Sequence, residues 1–521
     1  MDVKANRKYL IAFTLLLIIS FAVLIYFGQQ KSGYHEDEYY SFYSTNYKCG
    51  WTVPDGAWES HDRYYNEFVV LPGEAFQYGL VKQVQSWDVH PPMYYWVLHT
   101  VCSFSEGVFS KWQGLEINIA AYMISLVFLY MTALELFHSK YKEAEALLLT
   151  ACYAFSTATI SSAMFIRMYS FMACLMILAV YIHVKAWNRD KMSSPLFLCT
   201  MGIVLYLGFL THYYFMIFHF FLTACICAYL LLKERNLKKC LLYGFSAMAA
   251  IVLGVVTYPS SLGQMFKGQR GAEATENFLQ LGNTWERIKY FLSLIDQQLF
   301  CGLMFVFAIG FIFILVTLIL QKHATIDITS ILAITAVGYF LVISKTALML
   351  GDSSVRYIFP VFSVVLLVVF SYADLFAAYN TKWHVDQWLI PVMSVLILSG
   401  EICGMMQEKV LFLYKEDINK INYAKENSNV PVMYIYHGND SWCIWESADE
   451  LFEYPEIYYI SDNTTDKIVD DRLGQAKRLL VYVSTIGNPQ EQVDRVLNSM
   501  ELLTGYEIVE ESKFCNLYNF Y

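Results

Sequence analysis

The sequence predicts a polytopic α-helical membrane protein with about eleven transmembrane helices, its N-terminus inside, a large first outer loop and a small α/β domain after the last span. Three observations carry that reading. Hydrophobic residues make up 57% of the 521-residue chain and charged residues only 16%, with a mean hydropathy of +0.39; soluble domains run at about 45–50% apolar and about 25% charged. Apolar stretches long enough to cross a bilayer recur as far as residue 406. The net charge of −10 belongs to the segment beyond them, since residues 406–521 hold 20 Asp/Glu against 10 Lys/Arg and the remainder balances. Such a composition excludes disorder, collagen-like repeats and a small disulfide scaffold. It also lacks the basic footprint of a nucleic-acid-binding protein.

About 20 helical residues cross about 30 Å of hydrocarbon. The first candidate, 9–28, is longer than a signal-peptide core and is followed by no small-residue cleavage site, so it reads as a retained helix. Further spans are expected near 114–137, 146–163, 168–187, 196–211, 213–232, 240–259, 297–320, 326–345, 355–376 and 388–406. Short loops set the orientation, because Lys and Arg accumulate on the cytoplasmic side. Lys4, Arg7 and Lys8 precede the first span, and Lys140, Lys142, Lys185, Arg189, Lys191, Lys233, Arg235, Lys238 and Lys239 fall on the same side. The opposite short loops hold little beyond Arg167, Lys345 and Arg356. An odd number of spans then places the acidic tail outside.

The expected domain organisation is a membrane domain, 1–406, with outer loops at 29–113 and 260–296, and a soluble domain, 407–521. The first loop carries 10 acids and 5 bases, and the second is rich in Gly and polar residues. The tail alternates β-type runs (Val430–Tyr436, Ile457–Ile460, Leu479–Val483, Glu507–Val509) with a helical stretch at Gln490–Leu503, which argues a small α/β domain.

The chemistry-bearing residues gather on the outer face. His35-Glu36-Asp37-Glu38 follows the first span closely, and Asp88-Val89-His90-Pro91-Pro92-Met93-Tyr94-Tyr95 comes later in the same loop. Arg167 lies at an outer helix end, Thr211-His212-Tyr213-Tyr214 at an outer turn, and Arg356-Tyr357 at the outer start of a span; Arg270 sits in the 260–296 loop. Each has a plain structural alternative. Arginines at helix ends snorkel to headgroups, Tyr and His populate the interface, and the Pro pair could simply stop a helix. Acids, arginines and histidines of mixed sign on one face point instead to a site. Asp37 or Glu38 suits a general base on an incoming hydroxyl. Arg167, Arg356 and His90 suit a cationic clamp for a phosphate leaving group, with Lys267 and Arg270 as weaker members.

At these residues the chain resembles the GT-C superfamily of membrane glycosyltransferases, in particular family-39-type bacterial members. Protein O-mannosyltransferases and the lipid A aminoarabinose transferase are more distant likenesses. The resemblance rests on the acidic pair Asp37-Glu38, on the run from Asp88 to Tyr95, on Arg356-Tyr357-Ile358-Phe359-Pro360 and on Arg270-Gly271-Ala272-Glu273-Ala274, over about residues 9–400. It implies an inverting transferase that moves a sugar from a polyprenyl-phosphate donor to a hydroxyl acceptor on the extracytoplasmic face. By that likeness Asp37 is the base and Glu38 its neighbour. His90, Arg167, His212, Arg356, Tyr357 and Arg270 contact donor, while Asp88, Tyr94 and Tyr95 position substrate. The acceptor stays open among protein, glycolipid and cell-wall glycan, and the setting implied is a bacterial plasma membrane. His35 and Glu36 extend the acidic pair, leaving two points open: Glu38 could be the acting carboxylate, and a divalent cation, Mg²⁺ or Ca²⁺, could bind the oxygens.

A membrane transporter or lipid-linked-sugar flippase is the main alternative. It calls for ionisable residues near mid-span and Gly/Pro-interrupted helices in corresponding halves. Here the charges sit at outer helix ends, and no inverted repeat is visible.

Overall fold

The computed structural model describes residues 3–46, 52–323, 325–380, 384–438, 442–463 and 466–521. Among them, eight helices are long and apolar enough to cross a membrane, and up to ten if each of two bent pairs counts as one span. The chain is a multi-pass integral membrane protein. About eleven spans were expected, and the difference has local causes. The helix Pro195–Thr211 is apolar but only 17 residues long. The expected span 146–163 is two helices, Lys142–Ala154 and Thr157–Met164, bent by 54° where Ser156 caps the second through the Thr159 N–H. The helix Met304–Leu320 is separated by a 95° bend from the helix before it, at Cys301 and Gly302, both with positive φ; glycine takes φ +83° there without a Cβ penalty. Pro360 sits in the 3₁₀ turn Phe359–Val361 that interrupts Gly351–Tyr379.

The chain divides into two compact units, Met1–Gln29, Val81–Leu98 and Ser110–Phe412 in the first, and Gln30–Leu80, His99–Phe109 and Leu413–Tyr521 in the second. The first holds the apolar helices. Lys111–Leu136 packs along Tyr169–Asn188, and Pro195–Thr211 along Leu237–Thr257. Gly114 lets Lys111–Leu136 lie close to the break that precedes Tyr169–Asn188, since a Cβ there would stand 2.0 Å from the Ile166 side chain. The 260–296 segment, expected as an outer loop rich in Gly and polar residues, is built from the helices Ser260–Phe266, Gln269–Leu279 and Thr284–Leu299.

The second unit is built on a six-stranded mixed sheet: β1 Ala57–Ser60, β2 Val432–Tyr436, β3 Glu456–Ser461, β4 Leu479–Ser484, β5 Tyr506–Glu511 and β6 Cys515–Phe520, in the order β1-β3-β2-β4-β6-β5. β2 pairs parallel with β3 and β4; the remaining pairs are antiparallel. Every residue of β2 and β4 is buried, as expected of central parallel strands covered on both faces. The amphipathic helix Pro489–Ser499 covers one face with Val493 and Val496, which pack with Met433, Ile435, Val481 and Val483. Within this unit the expected boundary at 406/407 is redrawn. Parts of the first outer loop fold with the tail, because β1 joins the sheet in register from Ala57↔Tyr459 to Ser60↔Glu456.

Candidate functional site

The expected site residues fall into two sets, one in each unit. In the second unit, His35 precedes the helix Glu36–Asn46 as its N-cap, with three acids in the first turn, where the helix dipole favours negative charge. The Glu38 carboxylate accepts the His35 N–H at 2.7 Å, and the His35 ring Nδ1 accepts the Asp37 N–H at 3.0 Å, a reciprocal capping box. The same Glu38 oxygen pairs with Lys31 Nζ at 2.9 Å, and both side chains are 0% exposed. Lys31 also lies 5.4 and 5.3 Å from the ring centres of Tyr34 and Tyr414. Glu38 is thus committed to structure, whereas the Asp37 side chain, 3.7 Å from His35, is 31% exposed.

Two of the groups beside Asp37 are already engaged. Glu38 is consumed by Lys31 and the cap, and His35 Nδ1 by a backbone N–H. Among the described residues, no group of three or more His, Cys, Asp or Glu side chains could hold a metal ion.

In the first unit the remaining candidates converge. Pro91-Pro92 separate the helices Tyr78–Trp87 and Met93–Ser103, leaving Asp88 and His90 on the turn between them. His90 Nδ1 lies 3.4 Å from Asp88 and 3.5 Å from the Arg167 guanidinium. Arg167, buried, donates to the Tyr95 hydroxyl at 3.1 Å. It stands in the short break between Thr157–Met164 and Tyr169–Asn188, and that break is fixed by Asn118, whose amide donates to the Phe165 carbonyl at 2.5 Å and whose oxygen accepts the Tyr94 hydroxyl at 3.4 Å. Burial pushes the Asp88 carboxyl up, but its hydrogen bond to His90 and the charges of His90 and Arg167 outweigh that and hold it below the usual range.

His212 ends one helix and caps the next, accepting the Tyr214 N–H at 3.0 Å. Its ring centre is 5.7 Å from that of His90 and 5.5 Å from that of Tyr169. Tyr169 and Tyr214 lead on to Tyr357 at 5.9 and 6.1 Å, and the Tyr357 hydroxyl accepts from Arg356 at 3.1 Å. Asp88, His90, Tyr94, Tyr95, Arg167, His212, Arg356 and Tyr357 therefore belong to one continuous polar and aromatic cluster. Arg270 does not join it by a hydrogen bond. It pairs with Glu273 at 2.9 Å on the helix Gln269–Leu279, which buries no residue.

Sequence reasoning missed three supporting residues: Lys31, Asn118 and Gln264. Gln264 donates to the carbonyls of Gln85 and Asp88 and to the Tyr258 hydroxyl at 2.8, 2.6 and 2.9 Å, and accepts from Tyr213 at 2.5 Å. Lys31 had one signal, being the only cation between the first span and the acidic run. Asn118 and Gln264 had none beyond polarity.

Comparison with known proteins bears on the same residues. The family of dolichyl-phosphate-mannose-protein mannosyltransferases matches residues 89–258, about a third of the chain. ArnT from Cupriavidus metallidurans bound to undecaprenyl phosphate is structurally similar over 100% of this chain and 98% of its own, with a TM-score of 0.53 at 9% identity. Its apo state covers 99% and 98%, with a TM-score of 0.51 at 10% identity. An Archaeoglobus fulgidus oligosaccharyltransferase in complex with Zn and sulfate aligns over 96% of this chain and 72% of its own, at a TM-score of 0.48 and 11% identity. No curated protein matches by sequence alone. The likeness to ArnT over the whole of this chain shows an ArnT-like fold.

Proposed function

We propose that the protein is an integral-membrane inverting glycosyltransferase that moves a sugar from a polyprenyl-phosphate donor to a hydroxyl acceptor on the extracytoplasmic face. The observation that carries this reading is the His90–Arg167–Tyr95 cluster, which extends through His212 to Arg356 and Tyr357 and lies largely in the stretch similar to dolichyl-phosphate-mannose-dependent enzymes. In a sugar–lipid phosphodiester the leaving group is the lipid phosphate monoester, which departs readily once its charge is held, so the protein needs a base and a cationic clamp, with no strong acid. Asp37 takes the acceptor proton while the acceptor oxygen bonds to the anomeric carbon. The bond from that carbon to the phosphate oxygen breaks, and its electron pair leaves on the polyprenyl phosphate. Arg167, Arg356 and His90 neutralise that phosphate, a role for which guanidinium forks suit best. Attack opposite the leaving group inverts the anomeric centre.

Supporting the division of labour is the contrast between Glu38, buried against Lys31, and Asp37, which keeps solvent access. The test is donor consumption. The protein in nanodiscs is incubated with a panel of polyprenyl-phosphate sugars, each followed by mass spectrometry. One donor consumed, with polyprenyl phosphate released, supports the transferase. A failure to bind any of them favours the transporter.

A further inference from the structure

The proposed reaction gives the tail no job, yet tail residues surround the segment that carries the acidic motif. Within the second unit, the Ser32 N–H donates to the Leu413 carbonyl at 2.8 Å. Gly33 is pressed onto Asp417 so closely that a Cβ would stand 2.1 Å from its Oδ2 and 2.9 Å from its Cβ. Trp445 packs against Tyr40 and Tyr43, with ring centres 4.8 and 4.3 Å apart. Asp449, partly buried, is hydrogen-bonded to the Tyr39 hydroxyl. The helix Glu36–Asn46 has 11 residues, and an isolated helix shorter than about 12–15 residues is marginal in water. Its order comes from what it packs against.

We infer that the C-terminal domain is the positioning element for Asp37: Leu413, Trp445 and Asp449 fix the register and tilt of the segment 32–46 that presents this carboxylate, and Asp417 sets how closely that segment can approach. The inference rests on the reading of Asp37 as the base. It gives the tail a defined part in turnover, in place of a spacer or docking role. A misplacement of about 1 Å can cost about 100-fold in rate, so a domain that touches no reacting atom can still set kcat. Leu413, Trp445 and Asp449 are positioning residues.

Gly33 offers a test by suppression. Gly33→Ala forces the segment away from Asp417, and Gly33→Ala with Asp417→Gly removes the collision. In the full chain in nanodiscs, hydrogen exchange of the Glu36–Asn46 amides is expected to rise at least 10-fold in the single variant and return to within about threefold of wild type in the double. With a consumed undecaprenyl-phosphate sugar, kcat is expected to fall at least 10-fold in Gly33→Ala while KM for donor holds, and to recover in the double. Trp445→Ala is expected to move both readouts in the same direction. Wild-type exchange and kcat in Gly33→Ala, or no recovery in the double, overturns the inference. If wild type consumes no donor while exchange follows the suppression pattern, the C-terminal domain's hold on segment 32–46 stands and the glycosyltransferase reading falls.

Discussion

Lys31→Met is the most informative perturbation of stability. Lys31 and Glu38 form a 2.9 Å pair with both side chains at 0% exposure, and the same carboxylate also caps the helix through His35. Removing the ammonium strands a buried carboxylate beside its cap, and breaking a buried pair from one side costs about 3–5 kcal/mol. At roughly 2–4 °C per kcal/mol for a unit of 150–250 residues, the melting temperature should fall by about 6–20 °C. Lys31→Met with Glu38→Leu removes both charges and leaves mainly the His35 N–H without its acceptor, a loss of about 1–3 kcal/mol. The double variant should therefore melt above Lys31→Met. The assay is thermal unfolding of the full chain in nanodiscs, with hydrogen exchange reporting on Glu36–Asn46. A single variant within about 2 °C of wild type, or a double that melts lower than the single, would refute the assignment of Glu38 to structure.

Three more outcomes are expected. Arg167→Lys keeps the charge but loses the fork that reaches Tyr95 and His90, so kcat/KM for donor should fall about 10-fold, and Arg167→Ala should cost about 100- to 1,000-fold; steady-state kinetics checks both, and equal values would remove the guanidinium from the clamp. Gln264→Ala removes four neutral hydrogen bonds worth about 1 kcal/mol each, so it should lower the melting temperature measurably and, by loosening the Asp88–His90 turn, lower kcat/KM about 10-fold; thermal unfolding and steady-state kinetics check both. Burial pushes the Asp449 carboxyl up to about 7, the Tyr39 hydrogen bond and Lys31 opposing and Asp417 and Glu38 adding to the rise. A raised folded-state value means the contribution is full below the ordinary carboxylate range and is lost as pH climbs through about 7. Melting temperature should fall between pH 5 and pH 8, and Asp449→Asn should flatten that slope; an unchanged slope would contradict the assignment.

The membrane helices were legible because a stretch of about 20 apolar residues has few other fates. Their breaks were less so. The bend at Ser156 depends on a local cap, and that at Cys301-Gly302 on positive φ, neither of which lowers hydropathy. In the tail, the expected runs at 430–436, 457–460, 479–483 and 507–509 correspond to β2, β3, β4 and β5. β6 was missed, its polar Asn516 and Asn519 diluting the apolar pattern. β1 was missed because Ala-Trp-Glu-Ser has little strand character and its partner β3 lies some four hundred residues on, so no local pattern could reveal the shared sheet. The same long-range pairing hid the grouping of the first outer loop with the tail. Among site residues, His90, Arg167, His212 and Arg356 stood out as charged or titratable groups at helix ends facing one side. Arg270 stood out equally, and its hydrogen bond goes to Glu273 on its own helix. Lys31 was masked by its position beside a span, where a lysine ordinarily snorkels.

The central claim is that Asp37 is the base and Glu38 its buried support. It is tested most directly by single-turnover kinetics on one consumed polyprenyl-phosphate sugar, comparing Asp37→Asn and Glu38→Gln at matched folding. The account predicts that Asp37→Asn keeps the wild-type melting temperature and donor affinity while transfer falls by at least about 100-fold, and that Glu38→Gln lowers the melting temperature and retains measurable transfer. Full transfer in Asp37→Asn, with loss confined to Glu38→Gln, would contradict it.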